Sequence, residues 1–481
     1  MIVDPMRSWR ERPRPGKAWT GLILALVVTG SVGGATLAWA HQTLVSADPA
    51  SESELEQVPR ELRLTFYEPV RLSFTVVELF APDGSQVPLG EPRLSEASDR
   101  VLVVQVGDLI RSGSHTVRWR TTGADGHPVE GAYAFDLLPV ALESEAAAPH
   151  AADPAQEPVP EGGFVPPPLL ERSFDASSWP FVLTRWISLL ALTGLLGALV
   201  FRVGVLAAAS RNSGAVRAHE AGWSRELAKL GLWCAILLLL ATPVRLVLQA
   251  AGIRGELAVP ELDLLVSVAS TGAWGSGWIL QAMGVPVVIV GFWLATRGHR
   301  FGWALAAVGG VGLALVPALS GHAAGASAAP LLTIPANAVH VLGAGGWMGG
   351  LFALLVVGVP AALRDRSAGS REGVVALVRA FSPVALVFAA LMVGTGTFMA
   401  ALNLGSWSAL LGSGYGRVLL LKGAFVAAVL ALGARNALVV KPGLGEAGGA
   451  ERLRRTAGME LGAGLVVLLV TAALVALPLP R

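Results

Sequence analysis

The 481-residue sequence contains a single cysteine, Cys234. That excludes an intrachain disulfide and any CxxC metal or redox motif, and the lone thiol reads as a core residue. Charge is scarce: Asp, Glu, Lys and Arg make up 15% of the chain, against about a quarter in soluble domains. The balance is nearly neutral at +2, which argues against nucleic acid as a partner. No G-x-x-x-x-G-K-[ST] loop is present, which disfavours ATP as an energy source. Residues 41–140 contain no methionine and no cysteine, so a soft thioether or thiolate site is absent there.

Apolar residues, by contrast, are abundant. They form 53% of the chain, mean hydropathy is +0.60, and they come in separate runs long enough to span a bilayer. The first forty residues read as a secretory signal. Arg7, Arg10, Arg12, Arg14 and Lys17 precede an apolar run from Trp19 to Leu37, which ends in Ala38-Trp39-Ala40, an A-x-A cleavage pattern. Cleavage there makes His41 the first residue, with its amine and imidazole able to chelate one metal ion. Left uncleaved, the segment is a signal anchor.

Residues 41–140 carry 15 acidic and 8 basic side chains, net −7, a field that favours cations. Apolar and polar residues alternate over 61–66, 73–80, 101–106, 116–120 and 132–138, with Pro82-Asp83-Gly84, Gly113, Gly123 and Asp125-Gly126 as turn signals. The expected fold is an all-β sandwich or small barrel. A linker rich in Ala, Pro and Glu follows over 141–178 and includes a solvated His150. An all-α polytopic domain then fills 179–481, with eight spans near 180–204, 228–251, 274–296, 302–321, 331–360, 375–402, 415–438 and 456–478. The loops after the first, third, fifth and seventh spans hold the basic residues, such as Arg211, Arg217, Arg300, Arg364, Arg371, Arg452 and Arg455; residues 321–330 and 403–414 hold no charge. The positive-inside rule puts the basic loops in the cytoplasm and the β domain outside the cytoplasmic membrane.

In the β domain, Asp125 and His127 are two apart, so in extended chain both point to one side. Together with the His41 amine and imidazole they make a four-donor nitrogen and oxygen set that suits Cu(II). His41, the stretch Leu64-Thr65-Phe66-Tyr67-Glu68-Pro69-Val70, and Trp119-Arg120 followed by Asp125-Gly126-His127-Pro128-Val129-Glu130-Gly131 resemble the CopC family of periplasmic copper-binding proteins. The resemblance implies a cupredoxin-like β fold with Cu(II) held by His41, Asp125 and His127 and supported by Glu68. It also leaves His115 as a strand side chain. Some members carry a methionine-rich Cu(I) site, which this domain lacks.

The membrane part resembles CopD, the polytopic partner of CopC, through Ala338-Val339-His340, Gly345-Gly346-Trp347-Met348-Gly349-Gly350-Leu351, Arg379-Ala380-Phe381-Ser382, Gly394-Thr395-Gly396, and Tyr415-Gly416-Arg417 with Lys422. The resemblance implies copper uptake or tolerance. Intramembrane ionisable residues are functional candidates by default. His322 and His340 near the outer side, with Met348, Met392 and Met399, form a candidate path for Cu(I), the ion thioethers prefer. Arg185 and Arg245 are expected to snorkel outward; Lys422 and Glu460 are of opposite charge and can pair, which the sequence alone leaves open.

The function expected is therefore non-enzymatic: Cu(II) capture outside and copper movement across the bilayer, with an unidentified reductase or copper acceptor as partner. Three other readings compete. The helices can serve only as an anchor for a copper trap or sensor, although eight exceed what an anchor needs. The chain can be a histidine-brace copper oxidase, against which Asp125 fills the oxygen position and only three tyrosines occur. His322 and His340 can also ligate haem.

Overall fold

The computed structural model describes residues 44–67, 69–107, 111–122, 128–139, 177–255, 257–321, 330–364, 369–404, 406–446 and 448–477. The expected signal segment, residues 141–176 of the linker, and His41, Glu68, Asp125, His127, His150 and His322 lie outside them.

Among the described residues, nine strands form two sheets. One sheet runs in the order β1 (Leu44–Asp48), β3 (Glu61–Phe66), β7 (Ser98–Gln105), β6 (Arg93–Ser95). The other runs β2 (Glu54–Leu55), β9 (Pro128–Leu137), β8 (Gly113–Thr122), β4 (Val76–Phe80), β5 (Gln86–Val87). The period-two pattern accounts for the core between them. Leu62, Leu64 and Phe66 on β3 are buried, as are Val117 and Trp119 on β8 and Tyr133, Phe135 and Leu137 on β9. Each fully buried Leu or Phe stabilises the sandwich by about 1.5–3 kcal/mol. Phe66 and Trp119 join the sheets edge to face, with centroids 5.0 Å apart. The strand expected over 73–80 starts later, at Val76, because residues 72–74 form a 3-10 turn.

The helical part contains α1 (Trp179–Asn212), α2 (Gly214–Arg254), α3 (Leu262–Ser270), α4 (Gly272–Thr296), α5 (Arg300–Leu319), α6 (Leu331–Leu363), α7 (Glu372–Leu404), α8 (Trp407–Gly412), α9 (Gly414–Gly443) and α10 (Gly449–Leu474). Among the described residues, eight of these are long and apolar enough to cross a membrane; α3 and α8 are the short ones. Three of the longest helices contain wide π turns, at Phe201–Leu206 in α1, Gly345–Gly349 and Leu354–Gly358 in α6, and Asn436–Val440 in α9.

Glycines set the tightest crossings. A Cβ on Gly197 of α1 would fall onto the backbone of Gly349 in α6, and one on Gly346 would enter the Phe388 ring of α7. The glycine run of α6 therefore brings α1 and α7 close on either side of it. Small residues at helix crossings serve packing in this way in membranes.

The sandwich rests on the bundle. Phe74 packs into a cluster with Ile253, Val268 and Trp274, and the Arg71 guanidinium lies over Gly272. A small cleft beside this contact is lined by Ser73, Val76 and Arg120 on one wall and Arg254, Glu261 and Asp263 on the other. Arg254 and Glu261 are paired at 2.7 Å.

Candidate functional site

His41, Glu68, Asp125 and His127 lie outside the described residues, but the chain segments that lead to them converge. Leu44 of β1 pairs with Phe66 at the end of β3, and Phe66 touches Trp119 of β8. β8 and β9 remain in register up to the pair Thr122 and Pro128, which bracket residues 123–127. All four approaches therefore reach one end of the sandwich. Arg120, two residues before Thr122, lines the cleft against the bundle, so that end is the docked one. His115 is the strand side chain expected. It is fully buried, stacked on Phe135 at 5.5 Å, with Nδ1 2.9 Å from the Gly113 carbonyl. Burial pushes its pKa below the ordinary histidine value, and the Gly113 contact opposes this. The ring is committed to the core.

The membrane candidates divide. A cavity of about 480 Å³ occupies the half of the bundle nearest the sandwich. His340, Met392 and Met399 line it; Met348 does not. Met348 instead packs with Trp347, Ala389 and Val429 against Gly464 of α10. The wide turn at Gly345–Gly349 disturbs the regular helical spacing that placed Met348 on the side of His340. His322 lies outside the described residues; Gly321, its neighbour in sequence, is on the cavity wall. At 1.5 Å per residue, Met399, His340 and Met392 sit about 8, 14 and 18 Å in from the ends of their helices. The donors thus form a short descending series rather than an imidazole above two deeper thioethers.

The orientation of His340 follows from its partners. Nδ1 is 2.9 Å from the Met392 carbonyl and 3.3 Å from Thr395 Oγ1. A carbonyl only accepts, so Nδ1 carries the proton. The Thr395 hydroxyl donates to the Leu391 carbonyl at 2.7 Å, leaving its lone pairs for the imidazole. Nε2 then holds a lone pair and has no hydrogen-bond partner among the described residues, which is the state a metal ligand needs. Gly396 makes this placement fit: a Cβ there would stand 3.0 Å from His340 Cε1.

Three cationic residues on the same wall were not identified by sequence reasoning as part of a site. Arg185 and Arg245 do not snorkel outward; both line the cavity. Arg185 donates to the Ala472 carbonyl at 2.8 Å and lies 5.3 Å from the centroid of the Phe181 ring. Arg245 donates to Gln281 Oε1 and sits 5.9 Å from the Trp274 ring centroid. Gln281 Nε2 donates to Thr242 Oγ1 at 2.8 Å, which fixes the amide's orientation and therefore that of Arg245. Lys422 also lines the cavity and does not pair with Glu460. Glu460 accepts instead from Trp347 Nε1 at 3.2 Å and from Asn436 Nδ2 at 2.8 Å. Counting from the same side of the bundle, Lys422 is eight residues in and Glu460 fourteen, a mismatch in level of about 9 Å along the helix axes. The general rule that intramembrane charges mark function already pointed to all three cations; the direction they face was what the sequence left open.

Comparison with known proteins adds the following. Residues 44–138 match the CopC domain, residues 175–332 the N-terminal domain of the copper resistance protein D-like family, and residues 375–474 the copper resistance protein D family. The chain is 24% identical over 469 residues to the copper transport protein CutJ of Bacillus subtilis, covering 96% of this chain and 78% of that one. It is 26% identical over 119 residues to copper resistance protein C of Escherichia coli, covering 23% of this chain and 94% of that one. Among solved structures, CopC from Methylosinus trichosporium OB3b is similar at 27% identity and a TM-score of 0.19, covering 21% of this chain and 95% of that one.

Proposed function

Because the chain is a CopC–CopD fusion in the copper transport and resistance family, and a multi-pass membrane protein, we propose that it captures copper outside the cytoplasm and passes it into the membrane bundle. The sandwich holds Cu(II) through His41, Asp125 and His127, with Glu68 in support. The bundle receives the metal as Cu(I) at His340 and the thioethers of Met399 and Met392. The change of oxidation state takes one electron from a reductant outside this chain. The protein acts by ligand exchange and is not an enzyme. It resides in the cytoplasmic membrane with the sandwich on the outer side, the orientation that leaves the Arg-rich connections in the cytoplasm.

One observation carries this reading. The end of the sandwich where the ligand-bearing segments converge is docked on the half of the bundle that contains the His340 cavity. Trp274 joins the two, packing in the cluster that includes Phe74 while its ring lies beside cavity-lining Arg245.

Cells lacking the protein supply the test. Restoring the wild-type chain is expected to raise intracellular copper, measured by elemental mass spectrometry. Improved tolerance with unchanged intracellular copper contradicts transport and identifies an external trap. The sandwich site has its own test. Four-ligand structural zinc sites are worth about 10–16 kcal/mol, and on that scale one ligand carries about 2.5–4 kcal/mol. His127→Ala is then expected to weaken Cu(II) binding by about two to three orders of magnitude, read by competition against a chelator of known affinity. Unchanged affinity removes His127 from the site.

A further inference from the structure

The charge of the cavity is the unexpected feature for a protein that handles a metal cation. Arg185, Arg245 and Lys422 all line it, and among the described residues no Asp or Glu does. Among the described residues the two arginines are met by neutral groups: the Ala472 carbonyl and the Phe181 ring for Arg185, and Gln281 Oε1 and the Trp274 ring for Arg245. Lys422 has neither a hydrogen-bond nor an ion-pair partner among the described residues and lines the same cavity as His340. By residue count Arg185, Lys422, Arg245 and His340 sit about 9 to 14 Å in from their helix ends, close to one level. Two further polar atoms lining the cavity, Asn337 Oδ1 and Ser320 Oγ, are buried without a hydrogen-bond partner among the described residues.

An unpaired ammonium inside a membrane bundle is costly, and intramembrane charges ordinarily pair or face a pathway. Rings of Lys and Arg line pores that pass anions, and the field of three like charges in a low-dielectric cleft repels a bare copper cation. The volume also far exceeds that of a single metal ion.

We propose that the cavity accepts copper as an anionic complex, with the metal at His340 and the thioethers and its negatively charged co-ligand held by Lys422 and the Arg185–Arg245 pair. The co-ligand class is a small halide or carboxylate. This proposal rests on the copper-transport reading, and its test separates the two. The full chain is reconstituted in proteoliposomes of neutral lipid and offered Cu(I) in two forms: as dichlorocuprate, an anion, or as the acetonitrile complex, a cation in chloride-free buffer. Uptake from the anion is expected to be faster by at least about tenfold, and Lys422→Met is expected to remove the preference. Equal uptake from both forms overturns the proposal and leaves transport standing.

If neither form enters, the transport reading fails and anion binding decides the remainder. Chloride, titrated into the purified copper-free chain, is expected to raise its unfolding midpoint by about 3 °C. Lys422→Met should lose that shift and Lys422→Arg should keep it. Lys422 is half-buried, and replacing its unpaired charge by an apolar side chain of similar length does not threaten the fold, so Lys422→Met remains testable. The absence of any chloride shift in the wild type overturns the proposal. Retention of the anion response in lipid-free detergent distinguishes a soluble anion from an anionic lipid headgroup, which the same cations would attract.

Discussion

His340→Ala is expected to abolish copper accumulation by the restored cells while leaving the bundle folded. The imidazole does two separable things. Its Nδ1–H holds one hydrogen bond to the Met392 carbonyl, and its Nε2 offers the nitrogen donor of a cavity whose other soft donors are Met392 and Met399. Losing the hydrogen bond costs about 1 kcal/mol, a small share of the roughly 5–15 kcal/mol that holds a typical protein together. Losing the donor removes the intermediate-depth ligand of the series, so copper has no nitrogen site between Met399 and Met392. The unfolding midpoint should therefore move by only a few degrees while accumulation falls to that of cells without the protein. Unchanged accumulation in a folded His340→Ala protein would remove this residue from the path.

Gly197→Leu should have the opposite signature: no folded membrane domain. The Cβ alone would overlap the Gly349 backbone, and Gly349 in turn stands against Gly197 and the Thr193 carbonyl. Backbone cannot rotate aside as a side chain does, so α1 and α6 would have to separate. Overpacking ordinarily costs about 1–3 kcal/mol where side chains can shift; here the cost is greater because they cannot. The separation would also move His340, which sits on α6 nine residues before Gly349. Gly222→Ala is the control. Nothing lies within 4 Å of a Cβ at that position, and replacing a mid-helix glycine stabilises by roughly 0.5–1 kcal/mol. Size-exclusion profiles of the detergent-solubilised proteins separate the two. A monodisperse Gly197→Leu protein with normal yield would contradict the crossing described here.

Much of this architecture was legible in the residues. Leu62, Leu64 and Phe66 alternate with polar neighbours and face one core, so β3 was readable, as were β4, β7, β8 and β9, while β1 and β6 were not. Nor were β2 and β5, because each is two residues long and too short to show a period. The eight spans declared themselves by apolar length, whereas α3 and α8 are shorter than any such signal.

At the site, His340 stood out as an ionisable residue in an apolar run, and so did the three cations. Which way they turn did not. α1 is apolar on every side, so no face of it announces the cavity to which Arg185 points. Pairing of Lys422 with Glu460 looked natural from neighbouring spans, yet the two sit at different levels. Met348 was placed by counting regular turns through a segment that contains a wide one.

The central claim is that the helical bundle itself carries copper. Its most direct test is the entry of copper into proteoliposomes containing only the purified full chain, reported by a copper chelator trapped inside. The account predicts time-dependent entry that saturates with outside copper and disappears in His340→Ala. Entry no faster than into protein-free liposomes, from a chain shown to be folded, would contradict it and leave the helices as a platform for the sandwich.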